Sequence, residues 1–280
     1  MEAYVESREG VKMPKIIYGT AWKRERTGEL VVQAVKTGFR GIDTACQPKH
    51  YEEALVGEAL KRLETEGIAR EDLYLQTKFT PLEGQDPNRI PYDPSAPLAT
   101  QMAQSFERSQ QNLQTEYVDS LVLHSPLFPF KDLMEVWHAM EGVYRSGGAR
   151  QLGISNCYDL GLLQRLFADA EVKPAVVQNR FYDESGYDVA LRKWCSEQGI
   201  IYQSFWTLTA NPHILGSDTL MRLAFKYRKT PAQLFFGYLS QCGIVPLSGT
   251  TSMEHMQEDL ASFELTLGEE EMAAINRLLS

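Results

Sequence analysis

The sequence predicts an α/β protein folded as a single-domain (β/α)8 TIM barrel over residues 1–280, with an N-terminal hairpin and extra C-terminal helices. Three observations carry this. Short apolar runs alternate with amphipathic stretches to the end of the chain, the runs number eight, and each is too apolar for a strand with one wet face. Strand–helix alternation repeated eight times favours a parallel sheet closed into a barrel over an open doubly wound sheet.

Taken in order, residues 6–15 (ESREGVKMPK) place a glycine between polar and extended segments and read as a hairpin plugging the barrel floor. The barrel strands are KIIYGT (15–20), FRGIDTA (39–45), LYLQTKF (73–79), DSLVLHS (119–125), RQLGISN (150–156), PAVVQN (174–179), GIIYQSF (199–205) and GIVPLSG (243–249). Helical patterns lie between them at 28–38, 52–64, 98–113, 133–147, 160–170, 188–199 and 230–243. In the fourth of these, Leu133, Val136, Trp137, Met140, Val143 and Tyr144 recur at helical spacing. Thr230 before Pro231 has the form of an N-cap followed by proline at the first helical position. Further helical segments are expected at 218–227, 254–263 and 268–279, and the Pro- and Asp-rich stretch 80–97 reads as a long loop after the third strand.

Composition bounds the function. With 43% hydrophobic and 23% charged residues the chain is an ordinary soluble globular protein, which excludes disorder and collagen-like repeats. The 28 basic against 37 acidic residues leave a net charge of -9, which opposes a broad hold on nucleic acid or on an anionic membrane. No apolar run approaches the ~20 residues that span a bilayer, and the N-terminus lacks the apolar stretch of a secretory signal. A cytoplasmic monomer or small homo-oligomer is expected, with neither nucleic acid nor membrane as partner. Cys46, Cys157, Cys195 and Cys242 are far apart and form no CxxC pair, so they read as reduced thiols, and no metal site is expected.

In such a barrel the strand C-termini surround one pocket. Asp43 ends the second strand, Lys78 the third and His124 the fourth, each flanked by apolar residues, and Tyr51 opens the next helix. Each alone has a bland reading: a capping aspartate, a rim lysine, a core histidine, a packing aromatic. Together they form a proton donor for a carbonyl oxygen, in which a desolvated lysine lowers the tyrosine pKa and an aspartate orients the lysine.

GFRGIDTA, YEEALVGEAL, LQTKF, VLHS, GISN and the glutamine of VVQN occur in the order found in the aldo-keto reductase superfamily, which the chain resembles nearly end to end. The resemblance implies a catalytic set of Tyr51 as general acid, Lys78 and Asp43 as its tuning pair, and His124 orienting the substrate carbonyl. CQPKH lengthens the connection between Asp43 and Tyr51, Glu52 stands where asparagine is common, and the added His50 reads as a solvated loop residue, with entry into the pocket as the alternative. Trp22 is implied as a pocket wall beside Tyr51 and His124.

On the coenzyme side the resemblance implies that Ser155, Asn156 and Gln178 hold the nicotinamide carboxamide, together with Gly19, Thr20 and Asp43. Phe205 stands where the family stacks a tyrosine on the nicotinamide, with Trp206 and Leu208 beside it. There is no GxGxxG, so a Rossmann site is not indicated. Phosphate binding falls instead to Ser248, Gly249, Thr250, Thr251, Ser252 and His255, ahead of a helix N-terminus, with Glu258 and Asp259 as adenine contacts. Leu247 replaces the lysine that faces the 2′-phosphate, and His255 the arginine. NADP(H) is therefore placed ahead of NAD(H), with a weaker preference than relatives carrying both basic groups. The chain also ends at LLS, where many relatives continue into a loop over the substrate, so an open pocket is expected unless residues 80–98 cover it.

The resulting expectation is NAD(P)H-dependent, reversible reduction of a small-molecule aldehyde or ketone, flat or apolar rather than an unmodified sugar. Two other readings remain open at this point. One makes Lys78 a Schiff-base nucleophile in a barrel aldolase, which leaves the SN and Gln178 matches unexplained; the other is a nicotinamide-binding regulatory subunit with little turnover.

Overall fold

The computed structural model describes residues 4–279. β1 (Tyr4–Glu6) and β2 (Lys12–Pro14) pair antiparallel, and Gly10 turns the chain between them at φ 74°, a conformation glycine adopts without a Cβ penalty. β3 (Ile17–Gly19) then leads to α1 (Thr27–Thr37), β4 (Gly41–Asp43) to α2 (Glu53–Thr65), and β5 (Tyr74–Phe79) to α3 (Leu98–Leu113). β6 (Ser120–Leu123) leads to α4 (Phe130–Arg145), β7 (Leu152–Ser155) to α5 (Leu160–Asp169), and β8 (Val176–Arg180) to α6 (Val189–Glu197). β9 (Ile201–Phe205) is followed by α7 (Pro212–Leu215), α8 (Asp218–Tyr227) and α9 (Pro231–Gln241), and β10 (Ile244–Ser248) by α10 (Met253–Leu260) and α11 (Glu269–Asn276).

β3 to β10 form a closed parallel barrel in sequence order, sealed where β10 pairs with β3 at Leu247↔Ile17. All eight strands read from the sequence are present, and the hairpin occupies the floor. Met13 from the hairpin is fully buried and packs with Ile17, Tyr74, Val176 and Val245 from the strands. The helices close the outer layer. On α4, Leu133, Val136, Trp137 and Met140 are fully buried, as their spacing predicts. Thr230 caps α9 by accepting from the Gln233 amide, and Gln233 answers on the Thr230 amide.

One layer was not foreseen. The strands are apolar toward the helices, but above the floor the barrel interior is polar: Gln76 and Gln178 each donate to Asp43 Oδ1 (2.7 and 3.0 Å) and to Gln203 Oε1 (2.8 Å each). A buried carboxylate must be paired or hydrogen-bonded, and this belt provides the bonds. Cys46, Cys157 and Cys195 are buried, Cys242 is exposed, and all four are free thiols. Among the described residues no helix is long and apolar enough to cross a membrane.

Candidate active site

Strand alternation builds the site. On β5 the inward column is Tyr74, Gln76, Lys78, so Lys78 emerges above the glutamine belt beside Asp43 at the end of β4. Its ammonium lies 2.6 Å from each Asp43 carboxylate oxygen and 2.9 Å from the Thr44 carbonyl, and its side chain has no solvent exposure. All three N–H donors of Lys78 are thereby engaged. Burial lowers its pKa from the ordinary lysine value, and Asp43 opposes that shift.

Tyr51 stands two residues before α2. The start of that helix is fixed by the buried Glu53 carboxylate, which accepts from Thr77 Oγ1 on β5 (2.5 Å), Ser109 Oγ on α3 (2.9 Å) and Asn112 Nδ2 on α3 (3.0 Å). The Lys78 ammonium sits 5.2 Å from the Tyr51 ring centroid, and the ring meets His124 edge-on with centroids 6.1 Å apart. Among the described residues the Tyr51 hydroxyl has no hydrogen-bond partner, and the residue lines the central cavity. Its pKa is raised, first by burial and then by Asp43. The direction is opposite to the expectation of a phenol lowered by Lys78: the lysine donors point at Asp43 and Thr44, and burial together with Asp43 disfavours the phenolate.

His124 Nδ1 lies 2.6 Å from Thr80 Oγ1, and the His124 carbonyl accepts from Asn156 Nδ2 at 2.9 Å. Its pKa is held well below the ordinary histidine value, chiefly by burial and then by the positive charges of Lys78 and His50. The imidazole is therefore neutral near pH 7. His50 takes the alternative place, in the pocket and not in a solvated loop. It lines the cavity and stacks on Trp22 with ring centroids 3.9 Å apart, while its carbonyl accepts from the Trp22 amide.

Tyr51, His124 and His50 share one cavity of about 990 Å³ at the C-terminal ends of the strands, with Lys78 buried behind it. Gly19, Trp22, Asp43, Asn156, Gln178, Phe205, Trp206 and Leu208 also line it, as do Ser248, Gly249, Thr250, His255, Glu258 and Asp259. Trp22, Asn156 and Trp206 carry positive φ (64°, 54° and 54°), backbone strain gathered where strands open into the cavity. Gln178 gives both amide hydrogens to the belt, which leaves its carbonyl oxygen for an amide donor in the cavity. Together with the flat Phe205 ring and the α10 N-terminus, this donor set fits a nicotinamide dinucleotide.

Four residues expected to contact the coenzyme sit differently. Thr20 is fully buried and donates to the Asp43 carbonyl (2.9 Å), and Ser155 donates to the Gln178 carbonyl (2.6 Å), so both brace strand ends outside the cavity lining. Thr251 is exposed and outside the lining. The Ser252 hydroxyl caps α10 by accepting from the His255 amide. Ser248 Oγ is already donated to Asp259 Oδ2 (2.6 Å), and burial lifts that carboxyl to about 6. None of residues 81–98 lines the cavity: Gln85 and Tyr92 fold the loop back on the Thr80 carbonyl, leaving the mouth uncovered by it.

Sequence reasoning missed Thr80, Lys23 and Arg180. Lys23 lines the cavity and donates to the Gly249 carbonyl, which brings an amine to the loop after β10 from the far side of the barrel closure. Its position after Trp22 was the only signal. Arg180 was the more legible, because it lies two residues beyond Gln178 and so on the same face of β8.

A closed parallel barrel with a neutral histidine, a tyrosine and a buried lysine–aspartate pair at its C-terminal mouth defines a carbonyl-handling barrel oxidoreductase. The aldo/keto reductase family model matches residues 15–210, and the chain belongs to that family. It is 30% identical over 278 residues to glyoxal reductase of Bacillus subtilis, covering 98% of this chain and 92% of that protein. It is 25% identical over 277 residues to the putative methylglyoxal reductase DkgA of Salmonella typhi, with 98% and 92% covered. An aldo/keto reductase structure from Brucella melitensis superposes with a TM-score of 0.83 at 26% identity, covering 99% of this chain and 98% of that one. The chain is thus an NAD(P)H-dependent oxidoreductase of the carbonyl-reducing type.

Proposed function

We propose that the protein reduces a small aldehyde or ketone, with Tyr51 protonating the carbonyl oxygen and NADPH favoured over NADH. The observation that carries this reading is the Tyr51 hydroxyl, unpartnered among the described residues and opening on the same cavity as neutral His124. When bound, the nicotinamide supplies hydride to the carbonyl carbon. Gln178 and Asn156 are suited to hold its carboxamide, and the Phe205 ring to back it. His124 then orients the carbonyl by donating from Nε2, and Tyr51 gives up the proton as charge develops on oxygen. Lys78, held in place by Asp43, lies behind the ring and stabilises the phenolate left after that transfer.

The Schiff-base alternative meets a geometric obstacle. Lys78 is outside the cavity lining, has no solvent exposure, and its nitrogen is enclosed by Asp43 and Thr44. The test of the main reading is loss of nicotinamide absorbance on mixing NADPH with glyoxal, methylglyoxal and aromatic aldehydes, followed to multiple turnovers. Turnover limited to one equivalent of NADPH would instead indicate a regulatory nicotinamide-binding subunit.

Thr80 gives a sharper test of the histidine. A Thr80 hydroxyl that donates to Nδ1 places the remaining proton on Nε2, where a carbonyl is met. Thr80→Val keeps the shape and removes the donor, so kcat is expected to fall about 10-fold with NADPH affinity retained. Unchanged kcat would show that the tautomer is set by another group.

The coenzyme preference turns on Leu247, which lines the cavity half-buried, and on His255, which is exposed at its edge. Neither is a lysine or arginine, whereas Lys23 brings an amine to the Gly249 carbonyl. Leu247→Lys is expected to tighten NADPH about 10-fold, the effect of one charge-assisted contact, and NADH by less than about 2-fold. Equal tightening of both, measured by fluorescence titration, would place the 2′-phosphate elsewhere.

A further inference from the structure

Arg180 is a cation in the cavity with no carboxylate partner among the described residues. Its guanidinium stacks on the Trp206 ring at 4.3 Å and on the Tyr182 ring at 5.1 Å from the centroids. Among the described residues it makes no salt bridge, and only its backbone amide is hydrogen-bonded, to Tyr158 Oη. The protein carries a net charge of -9, and several of its other arginines pair with carboxylates: Arg70 and Arg150 on Asp119, Arg145 on Glu141 and Glu171. A guanidinium held between two aromatic faces has its planar edge, and therefore its N–H donors, left for a ligand.

Register places this cation at the reacting end of the cavity. Arg180 is opposite Phe205 in the β8–β9 pairing, one inward step above Gln178, which is opposite Gln203. The Tyr158 hydroxyl that receives the Arg180 amide in turn donates to Asn156 Oδ1 at 3.3 Å. The phosphate loop at Ser248–Thr250 has its own cation in Lys23. We infer that Arg180 anchors the carboxylate of an acidic carbonyl substrate, a flat oxo acid or aldehyde acid whose anionic end lies between Trp206 and Tyr182 while its carbonyl meets Tyr51 and His124. The inference rests on the reductase reading above and narrows its substrate class. Carboxylate recognition by a planar fork is bidentate, which fixes the distance between the acid group and the carbonyl as well as the charge.

The test compares 4-formylbenzoate with its methyl ester, which keeps the ring and the aldehyde but removes the charge. For the protein with NADPH, kcat/KM for the acid is expected to exceed that for the ester by about 10-fold or more, through KM, and Arg180→Met is expected to bring the ratio to about one. Arg180→Lys should restore only part of it, because an ammonium is not a fork. A ratio near one in the unmodified protein, or one that survives Arg180→Met, overturns the inference. So does a fall in NADPH affinity in Arg180→Met that accounts for the loss on both substrates, since the cation then serves the coenzyme diphosphate. Binding of the acid and of the ester to the NADP+-loaded protein, followed by tryptophan fluorescence, keeps two failures apart. Absence of turnover with both aldehydes counts against the reductase reading, whereas equal binding of acid and ester counts against the anchor.

Discussion

Replacing Tyr51 with phenylalanine is expected to lower carbonyl turnover by at least ~100-fold while leaving coenzyme affinity within about 2-fold and the fold intact, because a positioned general acid contributes on that scale. The structure explains why the effects should separate. The ring, which carries the contacts to Lys78 and His124, is kept by phenylalanine. The hydroxyl, which is removed, has no hydrogen-bond partner among the described residues, so none of their buried donors or acceptors is orphaned. The raised Tyr51 pKa keeps the phenol protonated through neutral pH, the form a reductase needs. Steady-state rates with NADPH, a coenzyme titration and a melting curve measure the three quantities. Near-normal turnover would remove Tyr51 as the acid and turn attention to His50 or His124, both of which line the same cavity.

The strands were legible because barrel strands covered by helices are apolar on the outer face and short, and eight such runs leave few topologies. The alternation that hides inside those runs was harder to see. In LYLQTKF the outward residues Leu75, Thr77 and Phe79 hold the period, while Tyr74, Gln76 and Lys78 form a polar inward column that reads as noise until the barrel closes. The family motifs located Asp43, Tyr51, Lys78 and His124, and all four converge on one mouth. Groups that work by filling space between motifs had no such marker. His50 sits in an added segment and becomes a wall only by stacking on Trp22, which reaches it from another strand end. Thr80 and Glu53 act through hydrogen bonds to residues 44, 24 and 56 positions away, separations that one sequence does not reveal. Conversely, Thr20 and Ser155 matched the motif in type and place, yet their hydroxyls are engaged by backbone carbonyls at the strand ends.

Lys78→Met is expected to damage turnover as severely as Tyr51→Phe and, unlike it, to destabilise the protein. Removing one partner of a buried ion pair leaves an uncompensated charge and typically costs about 3–5 kcal/mol. Asp43 would keep its bonds from Gln76 and Gln178, but those neutral donors do not replace an ammonium at 2.6 Å from both oxygens. For a chain of this size that corresponds to a fall in Tm on the order of 10 °C. The Asp43→Asn/Lys78→Met double variant separates structure from chemistry. Asparagine is neutral and still offers an oxygen to the glutamine belt, so much of the lost Tm should return, whereas turnover should remain at least ~100-fold down because no cation stabilises the Tyr51 phenolate. Normal turnover in Lys78→Met would remove the lysine from the proton-transfer apparatus. A Tm equal to that of the unmodified protein would show that the pair is not the buried, mutually dependent unit that its geometry describes. Recovery of both Tm and turnover in the double variant would mean that the site needs only a satisfied barrel interior and not the charge at Lys78.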